Sequence, residues 1–472
     1  MKTKYKVIAI GSGPGSSVAA AEIANKGIEV LMLEMGNDFR ETSFIEYSTD
    51  EIASKYKNAG QTVSLGNSII NYAEGMCLGG GSEVNSGLYH RCPEFILEKW
   101  ESENGFKVSK LELQKAYESI EKNISVSFMP KDKIPKASNF LLNGANKLGW
   151  ECKEIPRWYK YSGGTGEKQG MSKNFIPQFE RAGGQLICNC EVLKIIKLQK
   201  NKFLIRAIRN KNEILELECE FLILGCGAIS SPSLLRKSGI KKNIGKGLQM
   251  HPSFKFTAEF DEEVNFENMG VPVHQIKEFS PNISMGCSIS SRPHIGLGLI
   301  ENDSKELISR WRNMASYYVM ISPASRGFVA NLPYFKSPFV FYNLIKEDQK
   351  ILRRGINLLG EVLFASGAIS LYPSMVNAEK ILNLNALKSM VSGTAFSNFN
   401  LMTIHLFGSI PIGGEKKYFP TSPNGRLWED NRILIADSSM LCGSPSVNPQ
   451  GTIMALSKIN SQQFLNQFKN EY

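Results

Sequence analysis

The sequence has no long uncharged apolar run, which predicts no membrane-spanning helix. Its amino end enters an apolar strand almost at once, so no secretion leader is expected. The nine cysteines form no metal-binding spacing. Cys188 and Cys190 lie one residue apart with no histidine nearby, so zinc is not expected. Reduced thiols in a cytoplasmic protein account for them. A basic tract is missing too. The net charge is +10, but the lysines are dispersed, which fits a solvated surface better than a nucleic-acid partner. Nor is there a fused haem or iron–sulfur segment. What remains is a chain of 472 residues, 42% hydrophobic and 21% charged, enough for two or more globular domains.

The most informative stretch is Tyr5 to Gly36. Val7 to Ile10 reads as a buried parallel strand. Gly11, Ser12, Gly13, Pro14, Gly15 and Ser16 follow, then apolar residues at helical spacing up to Gly27. A second strand from Ile28 to Leu33 ends in Glu34. This is a β-turn-α-β unit for a dinucleotide. Gly11 serves the tight turn and Gly13 lets backbone approach a pyrophosphate at the helix N-terminus. Glu34 is placed to take the ribose hydroxyls. Ser16 stands where a third glycine is usual, with Gly15 beside it. Gly75 to Arg91 is a second small-residue stretch, able to bring backbone amides close to a flat ligand. A third is the apolar strand Phe221 to Leu224 followed by Gly225, Cys226, Gly227 and Ala228 and a helix expected to carry Pro232 in its first turn.

Further elements are expected as follows. Leu111 to Phe128 reads as an amphipathic helix and Met171 to Ala182 as another. Leu186 to Leu198 and Phe203 to Ile208 read as a strand pair, and Gly163 to Gly166 as a turn. From Ser253 to Asn398, Phe254 to Phe260 and Ile295 to Ile300 read as antiparallel strands, Phe328 to Leu344 as core strand and loop with contact to a membrane or capping of a pocket as its alternatives, and Leu352 to Ala368 as a helix. His251 reads as structural, and His274 and His294 as surface or turn residues.

Together the three glycine-containing blocks resemble the glucose-methanol-choline (GMC) family of flavin oxidoreductases, which bind FAD and oxidise alcohols. The resemblance implies an α/β fold: a discontinuous Rossmann-like FAD-binding domain from 1–130, 170–255 and 399–472, and a second α+β substrate domain with a largely antiparallel sheet from 131–169 and 256–398. It places Gly79, Gly80, Gly81, Ser82 and Asn85 along the flavin, a backbone group near Val192 at the adenine, Gly227 and Ala228 near the nucleotide, and Asp437 and Ser438 near the ribityl chain and pyrophosphate. Val84 occupies the place of the histidine that links FAD covalently in some members, so FAD held non-covalently is expected.

The resemblance also assigns chemistry near the carboxyl end. His405 matches the active-site base and Asn448 the partner that binds the substrate oxygen. Pro449, Gln450 and Thr452 open a helix whose N-terminus would face the flavin, where its dipole stabilises the charge of reduction. The implied reaction takes a primary or secondary alcohol, such as a sugar or polyol, to a carbonyl by proton abstraction and hydride transfer to flavin N5. A small-molecule alcohol is thus the expected partner, with the electron acceptor left open. The alternatives are a sterol or other hydrophobic-alcohol oxidase, and a non-redox flavoprotein lyase.

Overall fold

The computed structural model describes residues 2–162, 166–299, 304–377 and 379–467. Lys4–Ile10 forms the centre of a seven-stranded sheet, pairing in parallel with Val30–Leu33 on one side and with Glu213–Leu224 on the other. Val7, Ile8 and Ala9 are fully buried, as an apolar run covered on both faces requires. Gln185–Ile187 extends the sheet beyond Val30–Leu33, and Ile433–Ile435 adds in parallel to Glu213–Leu224. Cys190–Lys197 and Phe203–Arg209 form the expected antiparallel hairpin. The helices Pro14–Ala24 and Gln450–Phe464 pack against each other over this sheet.

A nine-stranded, mainly antiparallel sheet forms the second layer. Its centre is Ser253–Glu259 against Met314–Ile321, followed by Ile283–Cys287 and His274–Ile276. Phe254, Phe256 and Ala258 point to a core covered by the helices Lys136–Leu148 and Lys346–Ala365, while Ser253, Lys255 and Thr257 face the other way. Thr62–Ser64, Ile70–Tyr72 and Leu401–Thr403 continue this sheet. A four-stranded sheet, in the order Phe339–Phe341, Gly327–Ala330, Lys246–Met250, Leu406–Phe407, bridges toward the carboxyl-terminal segment. A small three-stranded sheet completes the set, and the parallel sheet beside a largely antiparallel one is the expected α/β arrangement.

Several expectations need correction. Residues Arg292–Gly298 form a helix, not a strand: Ser291 and Pro293 start it, and Ser291 Oγ pairs with His294 Nδ1 at 2.8 Å. Ile300 lies outside the described residues, as does most of the Gly163–Gly166 turn. Pro232 sits in the second turn of the helix Gly227–Lys237, not the first. The carbonyl of Ala228, which proline deprives of its helical donor, accepts instead from Ser409 Oγ at 2.6 Å. Met171–Lys173 is a short 3₁₀ turn ahead of the helix Phe175–Arg181. The stretch 328–344 is core only in part: Val329, Val340, Tyr342 and Leu344 are buried, but Leu332, Tyr334 and Phe335 are exposed. His274 and His294 are not at the surface. His274 is buried in the nine-stranded sheet, its Nδ1 paired with Ser138 Oγ at 2.8 Å, and His294 sits half-buried on the 292–298 helix.

Candidate active site

The turn after Lys4–Ile10 shows what each small residue is for. Gly11 has φ +91°, and a Cβ there would lie 2.4 Å from the Gly225 carbonyl. A Cβ on Gly15 would lie 2.3 Å from the Ala436 carbonyl. Gly15, rather than residue 16, therefore supplies the close helix–sheet packing of a third glycine. Ser16 is buried, with its Oγ lacking a partner. The helix Pro14–Ala24 begins at Gly13 without a side-chain cap, so its first amides and positive dipole end are free for an anion. Gly80 backs onto Gly13, 3.0 Å from where its Cβ would be. Glu34 is buried, and its carboxylate accepts from Ser12 N and Oγ and from Gly36 N. Ser12 Oγ in turn accepts from Gly79 N at 2.9 Å, tying the two glycine loops together. Burial pushes the Glu34 carboxyl above its ordinary range.

The other residues assigned to the nucleotide fall around this centre. Gly81 and Ser82 begin a single helical turn, and Ser82 Oγ donates to the Gly79 carbonyl at 2.8 Å. Asn85 ends that turn, donating to Gln450 Oε1 at 2.7 Å and accepting from Gly87 N. Thr452 Oγ1 accepts from Tyr117 Oη at 3.3 Å. Asp437 accepts from Gly227 N at 2.9 Å and from Ser231 Oγ, so this carboxylate anchors the start of the 227–237 helix. Ser438 follows in a short turn, and its carbonyl accepts from Gly408 N. Val192 lies two residues beyond Cys190, whose N–H bonds the Glu34 carbonyl, where the hairpin ladder slips register.

His405 and Asn448, 43 positions apart, come together: Asn448 Nδ2 approaches His405 Nε2 at 3.3 Å. Asn448 belongs to the segment ahead of the helix Gln450–Phe464, and Pro449 already has helical angles. Behind His405 stands His251, with the two Nδ1 atoms 3.1 Å apart. Two facing lone pairs would repel, so one of these nitrogens carries a proton. With Asn448 donating to Nε2, the Nδ1 of His405 is the protonated one and donates to His251. His251 Nε2–H then donates to Ser444 Oγ at 2.6 Å. The chain of bonds leaves the basic lone pair of His405 at Nε2, on the Asn448 side. Burial, helped by the charge of Lys277, pushes His405 down to about 4. Burial holds His251 well below the ordinary histidine range.

The face of the nine-stranded sheet opposite its core runs toward these histidines, and sequence reading had not singled it out. Lys255 stands opposite Tyr318, Tyr318 opposite Gly286, and Gly286 opposite Gln275. A Cβ on Gly286 would lie 3.0 Å from Tyr318 Oη, so the glycine lets the phenol reach Gln275 Nε2 at 2.8 Å. Gln275 Oε1 meets His90 Nε2 at 3.2 Å. One row along, Lys277 Nζ donates to Ser284 Oγ at 3.1 Å. Lys255 has no hydrogen-bond or ion-pair partner among the described residues, and burial pushes its ammonium down to about 8. Strand alternation was the available signal: Ser253, Lys255 and Thr257 break the apolar pattern at every second position.

Comparison with known proteins agrees with this architecture. Two family models described as GMC oxidoreductase match residues 52–253 and 323–457. The uncharacterized GMC-type oxidoreductase y4nJ of Sinorhizobium fredii is 31% identical, over 97% of this chain and 94% of its own. The long-chain-alcohol oxidase FAO4A of Arabidopsis thaliana is 24% identical, over 97% of this chain and 68% of its own. Among solved structures, pyridoxine 4-oxidase from Mesorbium loti superposes with a TM-score of 0.76 at 15% identity, covering 98% of this chain and 99% of that one. A formate oxidase of Aspergillus oryzae RIB40, mutated to study FAD modification, gives 0.77 at 14% identity over the whole of both chains.

Proposed function

Because this chain belongs to the GMC oxidoreductase family, we propose that it oxidises a primary or secondary alcohol to a carbonyl, with His405 as base and Asn448 holding the substrate oxygen. FAD is the cofactor of this oxidoreductase, and when bound it supplies the hydride acceptor. The chain's own features fit that group: the uncapped helix start at Gly13, the paired glycine loops and the unpartnered Ser16 Oγ. Gly11, Gly13, Gly15, Glu34, Gly79 to Ser82, Asn85, Gly227 and Asp437 would hold it. Val84 gives no nucleophile for a covalent link, so FAD is held by these contacts alone. The division into an FAD unit and a substrate unit remains part of this proposal, and Thr62–Ser64, Ile70–Tyr72 and Leu401–Thr403, expected in the FAD unit, lie in the nine-stranded sheet instead.

The observation that carries the reading is the His405–Asn448 pair at 3.3 Å, backed by His251. A neutral imidazole whose Nε2 lone pair faces the Asn448 amide can take a hydroxyl proton once the substrate hydroxyl displaces that amide from Nε2 and the amide holds the oxygen. Replacing His405 with alanine is expected to leave FAD bound and to slow anaerobic flavin reduction by about 10²–10⁴-fold. Reduction at the wild-type rate would reject the role. Turnover without any bleaching of the flavin would favour lyase chemistry instead.

The substrate is open to a sharper reading than a sugar or polyol. Names among the relatives include long-chain-alcohol oxidases, and Ile404 beside the base is 45% exposed. Lys255, unpaired on the face that leads to the site, favours an alcohol with an anionic group remote from its hydroxyl. Turnover of octanol, its ω-carboxylate counterpart and sorbitol ranks the three classes, and a preference for sorbitol would refute this refinement.

A further inference from the structure

The hairpin built from Gly327–Ala330 and Phe339–Phe341 exposes apolar surface that the active site does not use. Val329 and Val340 point inward, so strand alternation turns Phe328, Phe339 and Phe341 outward. The three rings form one row, with centroids 5.3 Å apart for Phe328–Phe341 and 6.4 Å for Phe339–Phe341. Beyond them the connecting loop carries Leu332, Tyr334 and Phe335, and Phe335 is 68% exposed. Tyr334 is wholly exposed and has φ +68°, a left-handed backbone that is strained for a bulky residue. Across the row, Leu65 bridges to Phe341 and is exposed as well. Isolated apolar residues on a surface are ordinary, but a continuous patch of aromatic rings marks a contact surface.

The two segments that build this patch carry basic residues and no acidic ones. From Phe221 to Ala258, and again from Leu307 to Lys346, the chain contains no Asp or Glu. These two acid-free segments meet here. Lys246 stands opposite Phe328 in the sheet, Lys237 donates to the Lys336 carbonyl, and Lys336 lies in the loop next to Phe335. A second copy of the chain docked on the same face would set lysine against lysine. Anionic lipid headgroups complement the lysines, while aromatic side chains settle at the headgroup level. We propose that this hairpin seats the protein on an anionic lipid bilayer. The contact is interfacial, since no helix among the described residues is long and apolar enough to cross a membrane. The same sheet passes through Lys246–Met250 to Leu406, next to the base, so the docked face and the candidate site share one element.

The experiment is co-sedimentation of the FAD-loaded protein with vesicles of phosphatidylcholine alone or mixed with phosphatidylglycerol. Binding to the mixed vesicles, weakened by high salt and absent with phosphatidylcholine alone, is expected. Combining Leu332→Ser, Tyr334→Ser and Phe335→Ser should lower the bound fraction at least about tenfold, with flavin absorbance and Tm unchanged. Lys336→Glu should weaken binding on its own, which guards against misfolding of the triple variant. Three results would each overturn the proposal: no binding to the mixed vesicles, equal binding by the triple variant, or sedimentation velocity showing that the patch instead joins two copies of the chain. Vesicle binding involves no alcohol turnover, so its failure would leave the proposed reaction untouched.

Discussion

Burial keeps His405 neutral, and its hydrogen-bonded neighbours fix which nitrogen carries the lone pair. Its protonation, pushed down to about 4, leaves the imidazole neutral through most of the acid range. The acid limb of kcat/KM is therefore expected near pH 4 rather than at the ordinary histidine value of about 6.5, and a pH profile of flavin reduction checks this. His251→Phe removes the acceptor that fixes the His405 tautomer. A fall in kcat of about tenfold or more is expected with FAD content unchanged, together with a shifted acid limb, which a purely structural role would not move. Lys255 poses the opposite problem. Its ammonium is bound less tightly in the fold, at about 8, than in the unfolded chain. Stability is therefore lost as pH falls from about 10.5 to about 8, and the cost reaches about 3 kcal/mol at neutral pH. Lys255→Met is expected to raise Tm at pH 7 and to have little effect above pH 11. The family resemblance singled out His405 and Asn448, and the fold brings the two side chains within 3.3 Å. His251, Gln275, Tyr318 and Lys255 were not legible, since pairing across strands, not spacing along the chain, brings them together.

Among the elements, the helix Gly227–Lys237 depends on a contact from far along the chain. Pro232 cannot donate to Ala228, and Ser409 Oγ replaces that donor. Ser409→Ala leaves a buried carbonyl unsatisfied and is expected to cost about 1–3 kcal/mol in urea unfolding. The β-turn-α-β unit was legible because each of its residues obeys one local rule. The helix Lys136–Leu148 was hidden by its own Gly144, which reads as a breaker. In the fold a Cβ there would lie 2.2 Å from Ser366 Oγ, so the glycine permits close contact with the 346–365 helix. The segment 292–298 misled for the reverse reason: its alternating apolar and small residues imitate a strand, while Ser291 and Pro293 impose a helix start.

At the scale of the whole molecule, all five histidines are held below their ordinary protonation range, burial being the first cause for each. The unfolded chain takes up protons on them below about pH 6.5 while the fold resists. Stability should therefore fall as pH drops from about 6.5 toward about 4, and scanning fluorimetry across that window should show a declining Tm. Composition located none of this, because burial is a property of the assembled layers. The parallel sheet carries a further consequence. Leu222, Ile223 and Leu224 stand in parallel register with Ile433, Leu434 and Ile435, so one flank of that sheet waits for a strand made about two hundred residues later. A ribosome must deliver the chain as far as Ile435 before that edge is sealed, and a nonsense codon shortly before Ile433 would release a product with a raw, adhesive margin.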